Sequence, residues 1–166
     1  MSKFYQRVIV LFLFASLTGC GGLKSDDLES KKQTDLELYL TAKDAYNLLN
    51  RGGNNIMFDV RTRAEAKEGM PSFAINVPIL IREEEQNKVV PNKKFVSTII
   101  RELEDKGLDE QTTILMISNQ GKLSARAVNT LAKKRYRKVY NVVDGVIGWK
   151  KNELPLSYDV DAKESS

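Results

Sequence analysis

Two rhythms of apolar and polar residues take turns along this chain. Short runs that are apolar nearly throughout recur at Asn55–Arg61 (NIMFDVR), Ala74–Val77 (AINV), Thr113–Ile117 (TILMI) and Val139–Val143 (VYNVV), with a further apolar piece, LELYL, at 36–40. Runs of this length bounded by turn formers predict strands buried on both faces. The first has its polar end emerging at Asp59, and Pro78 closes the second. Between the strands the spacing changes to three and four. Thr41 and Asp44 form a capping-box variant. Ala45, Leu48 and Leu49 supply the stripe of the helix that follows, and Arg51-Gly-Gly stops it. Ala64 to Lys67 suits one helical turn. Pro91 lies near the start of an amphipathic helix with Phe95, Ile99, Ile100 and Leu103 on one face, ending at Gly107. Ser124 to about Arg135 is the next helix, with Ala125, Val128, Leu131 and Ala132 inward. Asp144-Gly145 turns the chain into a short helix over Val146–Lys150. Residues 81–90, IREEEQNKVV, read as a charged connection, and Asn152 onward as a tail.

Strands alternating with helices predict an α/β domain, a parallel central sheet with helices on both faces. In such sheets the loops leaving the carboxyl ends of the strands build the site. Arg61, Asn76, Ser118 and Asp144 all stand near such ends and are placed to converge.

The first residues follow a different pattern. Lys3 and Arg7 precede the apolar core Val8–Leu17, which is too short for a comfortable membrane span and suits a signal peptide. Leu17-Thr-Gly-Cys20 follows. It resembles the bacterial lipoprotein cleavage box, in which the cysteine is acylated and begins the mature chain. The resulting division is a signal peptide at 1–19, a flexible polar tether at 20–34 from lipidated Cys20, a domain at 35–158 and a polar tail at 159–166. An uncleaved membrane anchor is the alternative. Two or three acyl chains anchor stably where one binds marginally. Gly21 stands where an aspartate resembles an inner-membrane retention signal. The expected location is therefore the cell envelope, on the outer membrane facing the periplasm if the host has two membranes.

Cys20 is the only cysteine, and the chain has no histidine. With Cys20 lipidated, the domain has no disulfide, no thiol nucleophile and no Cys/His metal site, and no cofactor is expected. Across 166 residues the net charge is only +4, with acids and bases interspersed, which argues against a nucleic-acid partner. The basic run Lys133–Lys138 (KKRYRK) suits the C-terminal end of a helix.

Four segments together resemble the rhodanese-like family of sulfurtransferase domains. They are Asp59-Val-Arg61, Gly69–Pro78 (GMPSFAINVP), Ser118–Ser124 (SNQGKLS) and Val139–Trp149 (VYNVVDGVIGW). The resemblance implies that family's three-layer fold over about 36–156. It also implies that Ser118 stands where the family carries the cysteine that takes up a sulfane sulfur, Leu123 where it carries a loop arginine, and Met70 where it carries a histidine. The six-residue loop length matches the sulfurtransferase type. A serine hydroxyl needs a base to become nucleophilic, and it cannot hold sulfur as a persulfide. Lys122 is the only basic side chain in the loop.

The expectation is therefore a non-enzymatic binding module. Its degenerate loop is Ser118, Asn119, Gln120, Gly121, Lys122, Leu123 and Ser124. Asp59, Arg61, Met70 and Trp149 are candidates for a pocket rim; the alternatives are local backbone bonding by Asp59, an ion pair of Arg61 with an acidic neighbour and a core place for Trp149. Three readings of the loop stay open: retention for the fold alone, weak binding of a small anion on backbone amides, and docking of an envelope protein. The other functional class is an accessory role in sulfur or thiol metabolism, in which a partner supplies the reactive cysteine.

Overall fold

The computed structural model describes residues 23–83 and 87–160. Cys20, the segment 1–19 and most of the polar tail therefore lie outside the described residues. Among the described residues, no helix is long and apolar enough to cross a membrane.

The chain runs through β1 (Tyr39–Leu40), α1 (Ala42–Asn50), β2 (Asn55–Asp59), α2 (Arg63–Lys67), β3 (Met70–Pro71), β4 (Ala74–Asn76), β5 (Leu80–Glu83) and β6 (Lys88–Pro91). It continues with α3 (Phe95–Asp105), β7 (Thr113–Ile117), α4 (Lys122–Ala132), β8 (Val139–Val142), α5 (Gly145–Lys151) and β9 (Leu156–Ser157). Five strands form one parallel sheet in the order β1-β8-β7-β2-β4.

The continuous apolar runs have a direct physical reason. Successive side chains of a strand point to opposite faces, and here both faces are covered. Ile56, Phe58, Ile114 and Met116 join Phe95, Ile99 and Leu103 of α3 and Val128 and Leu131 of α4 in one core. Met57, Leu115 and Ile117 join Ala42 and Ala45 of α1 and Val146 and Trp149 of α5 in the other. The result is the expected three-layer α/β architecture. Thr41 caps α1 as the sequence predicts: its hydroxyl accepts from the Asp44 N–H, and it donates to the Asp44 carboxylate at 2.6 Å.

Four expectations change. Residues 80–91 are a β-hairpin around the undescribed 84–86, with Ile81 opposite Val90 and Arg82 opposite Val89. In the sequence, the short apolar pairs Leu80-Ile81 and Val89-Val90 are obscured by the charged and polar residues that stand between them. Pro91 ends that hairpin, and α3 begins at Phe95, after the Asn92 carboxamide oxygen accepts the Lys94 N–H. The segment after Asn152 is not a tail, because β9 pairs antiparallel with β3 and Val160 is buried against Ala66 and Met70. Residues 25–34 do not hang as a flexible tether. They form two short 3-10 turns, Ser25–Asp27 and Ser30–Lys32, and Thr34 is buried. Short local polar bonds hold this strap: the Gln33 amide donates to the carbonyls of Ser25 and Leu28, and the Thr34 N–H to the Tyr39 hydroxyl.

Candidate functional site

The loop leaves β7 at Ile117, the strand at the centre of the sheet. Its helix begins earlier than the apolar stripe suggested, at Lys122 and not Ser124, with Gly121 as the N-cap at φ 83°. A Cβ on Gly121 would lie 2.4 Å from the Val143 carbonyl oxygen, so only glycine lets the loop close on the end of β8. The turn into α5 grips the other side of the loop. The N–H groups of Val146 and Ile147 donate to the carbonyls of Ser118 and Asn119, at 2.9 and 3.2 Å.

Ser118 points inward and is 1% exposed. Its Oγ lies 3.0 Å from Ser124 Oγ and accepts the Ser124 N–H at 3.2 Å. The direction of the hydroxyl bond follows from the next residue along. Both hydrogens of the Asn141 amide are used, one on the Lys32 carbonyl and one on the Gly121 carbonyl. Asn141 Oδ1 must therefore accept, and the Ser124 hydroxyl donates to it at 2.7 Å. Ser124 has no second proton, so Ser118 donates to Ser124. The Ser118 proton is thus committed to a neutral hydroxyl with no base behind it. Such a group is a satisfied buried polar atom, not an activated nucleophile.

The other loop side chains divide by direction. Asn119 and Gln120 are exposed. Leu123 packs against the core on the α3/α4 face, where an apolar residue stabilises and a guanidinium would not. Lys122 is partly exposed and pairs with Glu29 of the strap at 3.3 Å. Both partners are well solvated, so this contact contributes little to stability. A shallow depression of about 310 Å³ lies there, lined by Glu29, Ser30, Lys31 and Lys122.

The expected pocket rim is not a rim. Asp59 is wholly buried, not emerging, and holds Arg61 in a buried pair with Oδ2–Nη2 at 2.5 Å. Arg61 also donates to the Gly69 carbonyl. An isolated buried charge is costly, so the carboxylate and guanidinium satisfy one another. Met70 is fully buried with Ala66 and Val160. Trp149 is fully buried, donates its indole N–H to the Pro155 carbonyl and meets Tyr46 edge-on. Asn76 donates to the carbonyls of Asp59 and Arg61, tying the ends of β2 and β4 together. A larger groove, about 330 Å³, lies at the amino end of β2, lined by Leu49, Asn55, Ile56 and Phe73 among others, away from the loop.

Asp144 is half-buried at the end of β8 and accepts the Ala42 N–H at 2.7 Å. Burial raises its pKa, and the backbone hydrogen bonds offset this only in part. The raised value means that folding favours the protonated acid. That contribution is fully present below the unfolded value of about 4 and is lost as pH rises through the folded value. Asp144→Asn keeps an acceptor for Ala42 and removes the titration. Urea unfolding of both proteins should show the wild type losing stability relative to the variant as pH is raised from 4 to 7. Parallel pH profiles would contradict this account.

The site's polar centre was missed by sequence reasoning. Asn141 sits within an otherwise apolar strand, and a carboxamide in a strand buried on both faces was the available signal. The role of Lys32 left no sequence signal, because it acts through its backbone carbonyl.

The family model of the rhodanese-like domain matches residues 41–152. This chain belongs to the rhodanese-like family. A protein of Rickettsia prowazekii (strain Madrid E) is 31% identical over 125 residues, spanning 69% of this chain and 92% of its own. Among solved structures, the rhodanese-like domain of Anabaena sp. Alr3790 superposes with a TM-score of 0.56 at 18% identity, covering 78% of this chain and 86% of that one. The polysulfide-sulfur transferase homodimer of Wolinella succinogenes gives 0.55 at 21% identity, covering 78% and 84%. The thiosulfate sulfurtransferase of Pseudomonas aeruginosa gives 0.56 at 18% identity, covering 73% of this chain and 20% of the other. The rhodanese-like fold, with its relation to sulfurtransferases, accounts for the loop's place at the carboxyl end of the central strand.

Proposed function

We propose that this rhodanese-like domain is a non-catalytic binding module, held at a membrane surface of the cell envelope by lipid on Cys20. The observation that carries the non-catalytic reading is the Ser118 hydroxyl, closed into the Ser124–Asn141 chain at 1% exposure. Three further features support it. The chain has no histidine to act as a base, its one cysteine precedes the domain, and the loop carries partly buried Leu123, packed against the core, where the family has a cation. What the loop offers outward is the neutral side chains of Asn119 and Gln120 and one partly exposed cation, Lys122, beside Glu29. These groups suit hydrogen bonding to a partner surface better than capture of a doubly charged anion. The anchor reading rests on the basic start, the apolar core and LTGC at 17–20.

The test is thiosulfate-to-cyanide sulfur transfer by the purified protein. Turnover should not exceed the blank, and Ser118→Cys alone should not restore it, because that side chain is enclosed. Wild-type turnover that Ser118→Ala abolishes would sink the reading.

A further inference from the structure

The family match begins at residue 41, and the strap lies ahead of it. The strap follows α4 backwards toward the loop. The Asp35 N–H donates to Asn129 Oδ1 on the third turn, the Lys32 carbonyl accepts from Asn141 beside Gly121, and Glu29 reaches Lys122 at the first residue of the helix. Ser25 then folds back, accepting from Gln33 and from the Tyr39 hydroxyl. Tyr39 pairs with Asn141, which donates to the Gly121 carbonyl, so Ser25 sits on the β1–β8 side of the loop, and the described chain starts two residues before it, at Leu23.

Cys20 is three residues from Leu23, a span of about 11 Å at full extension. Had residues 20–38 been a free leash, the domain would stand anywhere within about 65 Å of its lipid, in any orientation. We propose that the docked strap holds the carboxyl end of the sheet, with loop 118–124, against the lipid headgroup layer, so that the loop faces the bilayer and the opposite end faces away. The proposal rests on lipidation of Cys20.

The charge distribution does not compete with this orientation. The exposed basic run Lys133, Lys134, Arg135, Arg137 and Lys138 stands at the far end of α4, about 16 Å along the helix from Lys122. Anionic headgroups would attract it. However, Glu110, Glu104 and Asp109 lie near enough to Tyr136, within the run, to add to the burial that raises its pKa, so acids offset part of the field there. Around the strap, the cations Lys24, Lys31, Lys32 and Lys122 are interspersed with the anions Asp26, Glu29 and Asp35, a nearly balanced set with no strong attraction for the surface. Geometry, not charge, sets the direction. A consequence is that anything meeting Asn119 and Gln120 does so in the plane of the membrane.

With Cys20 lipidated, a new cysteine is the only free thiol. Lys31→Cys on the strap and Lys134→Cys at the far end are each labelled with a fluorophore in the full lipidated chain. They are then reconstituted on phosphatidylethanolamine–phosphatidylglycerol vesicles carrying a short-range nitroxide headgroup quencher. Quenching at position 31 should exceed that at 134 severalfold. A long glycine-serine insert after Gly22 should erase the difference. Equal quenching at both positions, or a difference that survives the insert, overturns the orientation while leaving the anchor intact. Failure of the protein to float with vesicles overturns the anchor itself, and the orientation with it.

Discussion

Arg61→Ala will destabilise the domain by about 3–5 kcal/mol, the range found when one partner of a buried ion pair is removed. The structure supplies the reason. Asp59 has no exposed surface, and its carboxylate is held by the Arg61 Nε, Nη2 and backbone N–H. Without the guanidinium, only the backbone N–H remains in those contacts, and the Gly69 carbonyl also loses its donor. Asp59→Asn alone leaves the guanidinium facing a neutral amide and should cost a similar amount. The pair Asp59→Asn with Arg61→Met should recover part of the loss, because replacing both charges is far cheaper than stranding one. Urea unfolding of the three variants decides the matter. A single variant within about 1 kcal/mol of wild type would mean that solvent reaches this pair.

Gly145→Ala should cost roughly 2–5 kcal/mol, the sum of left-handed strain and overpacking. Gly145 has φ 59°, and a Cβ there would lie 2.2 Å from the Ser118 carbonyl oxygen and 2.5 Å from that of Asn119. Those atoms are backbone and cannot swing aside as a side chain would. The loop and the turn into α5 would have to separate, breaking the bonds from Val146 and Ile147. Gly52→Ala is the control. Its φ is 69°, with nothing within 4 Å of an added Cβ, so it carries the backbone strain alone. The difference between the two unfolding midpoints isolates the overlap. Equal losses would show that the loop is not clamped at Gly145.

Periodicity determined the layers. Every main-sheet strand with both faces buried was visible as an apolar run: Thr113–Ile117 appears with its predicted bounds, and 55–61, 74–77 and 139–143 shrink by only one or two residues at an end. A strand buried on both faces has no need of polar residues until its hydrogen bonding ends. The helices were legible from the 3.6 spacing, and Thr41 from its capping chemistry. Short, half-exposed pairings were not legible. The strands of the hairpin at 80–91 and of the β3–β9 pair are only two to four residues long, too short to show a period, and the β3–β9 bonds exist only because a distant segment supplies the second strand.

The identities at 118, 123 and 70 were readable at once, as was the absence of histidine. These residues determine what chemistry is unavailable. Where the side chains point was decided only by the tertiary structure. Asp59, Arg61, Met70 and Trp149 stood near strand and helix ends and so looked like rim, yet all four are buried in pairs or clusters. A charge at a strand end takes whichever partner desolvates it at least cost, and that partner was two residues away. The proton direction at Ser118 was likewise invisible in one dimension. It depends on Asn141 and the Lys32 carbonyl, which meet the loop only after β8 and the strap have packed beside α4. Sequence alone settled which groups this protein carries. Packing settled which of them still face solvent, because burial forces every polar atom to find a partner and so consumes the groups that a site would otherwise present.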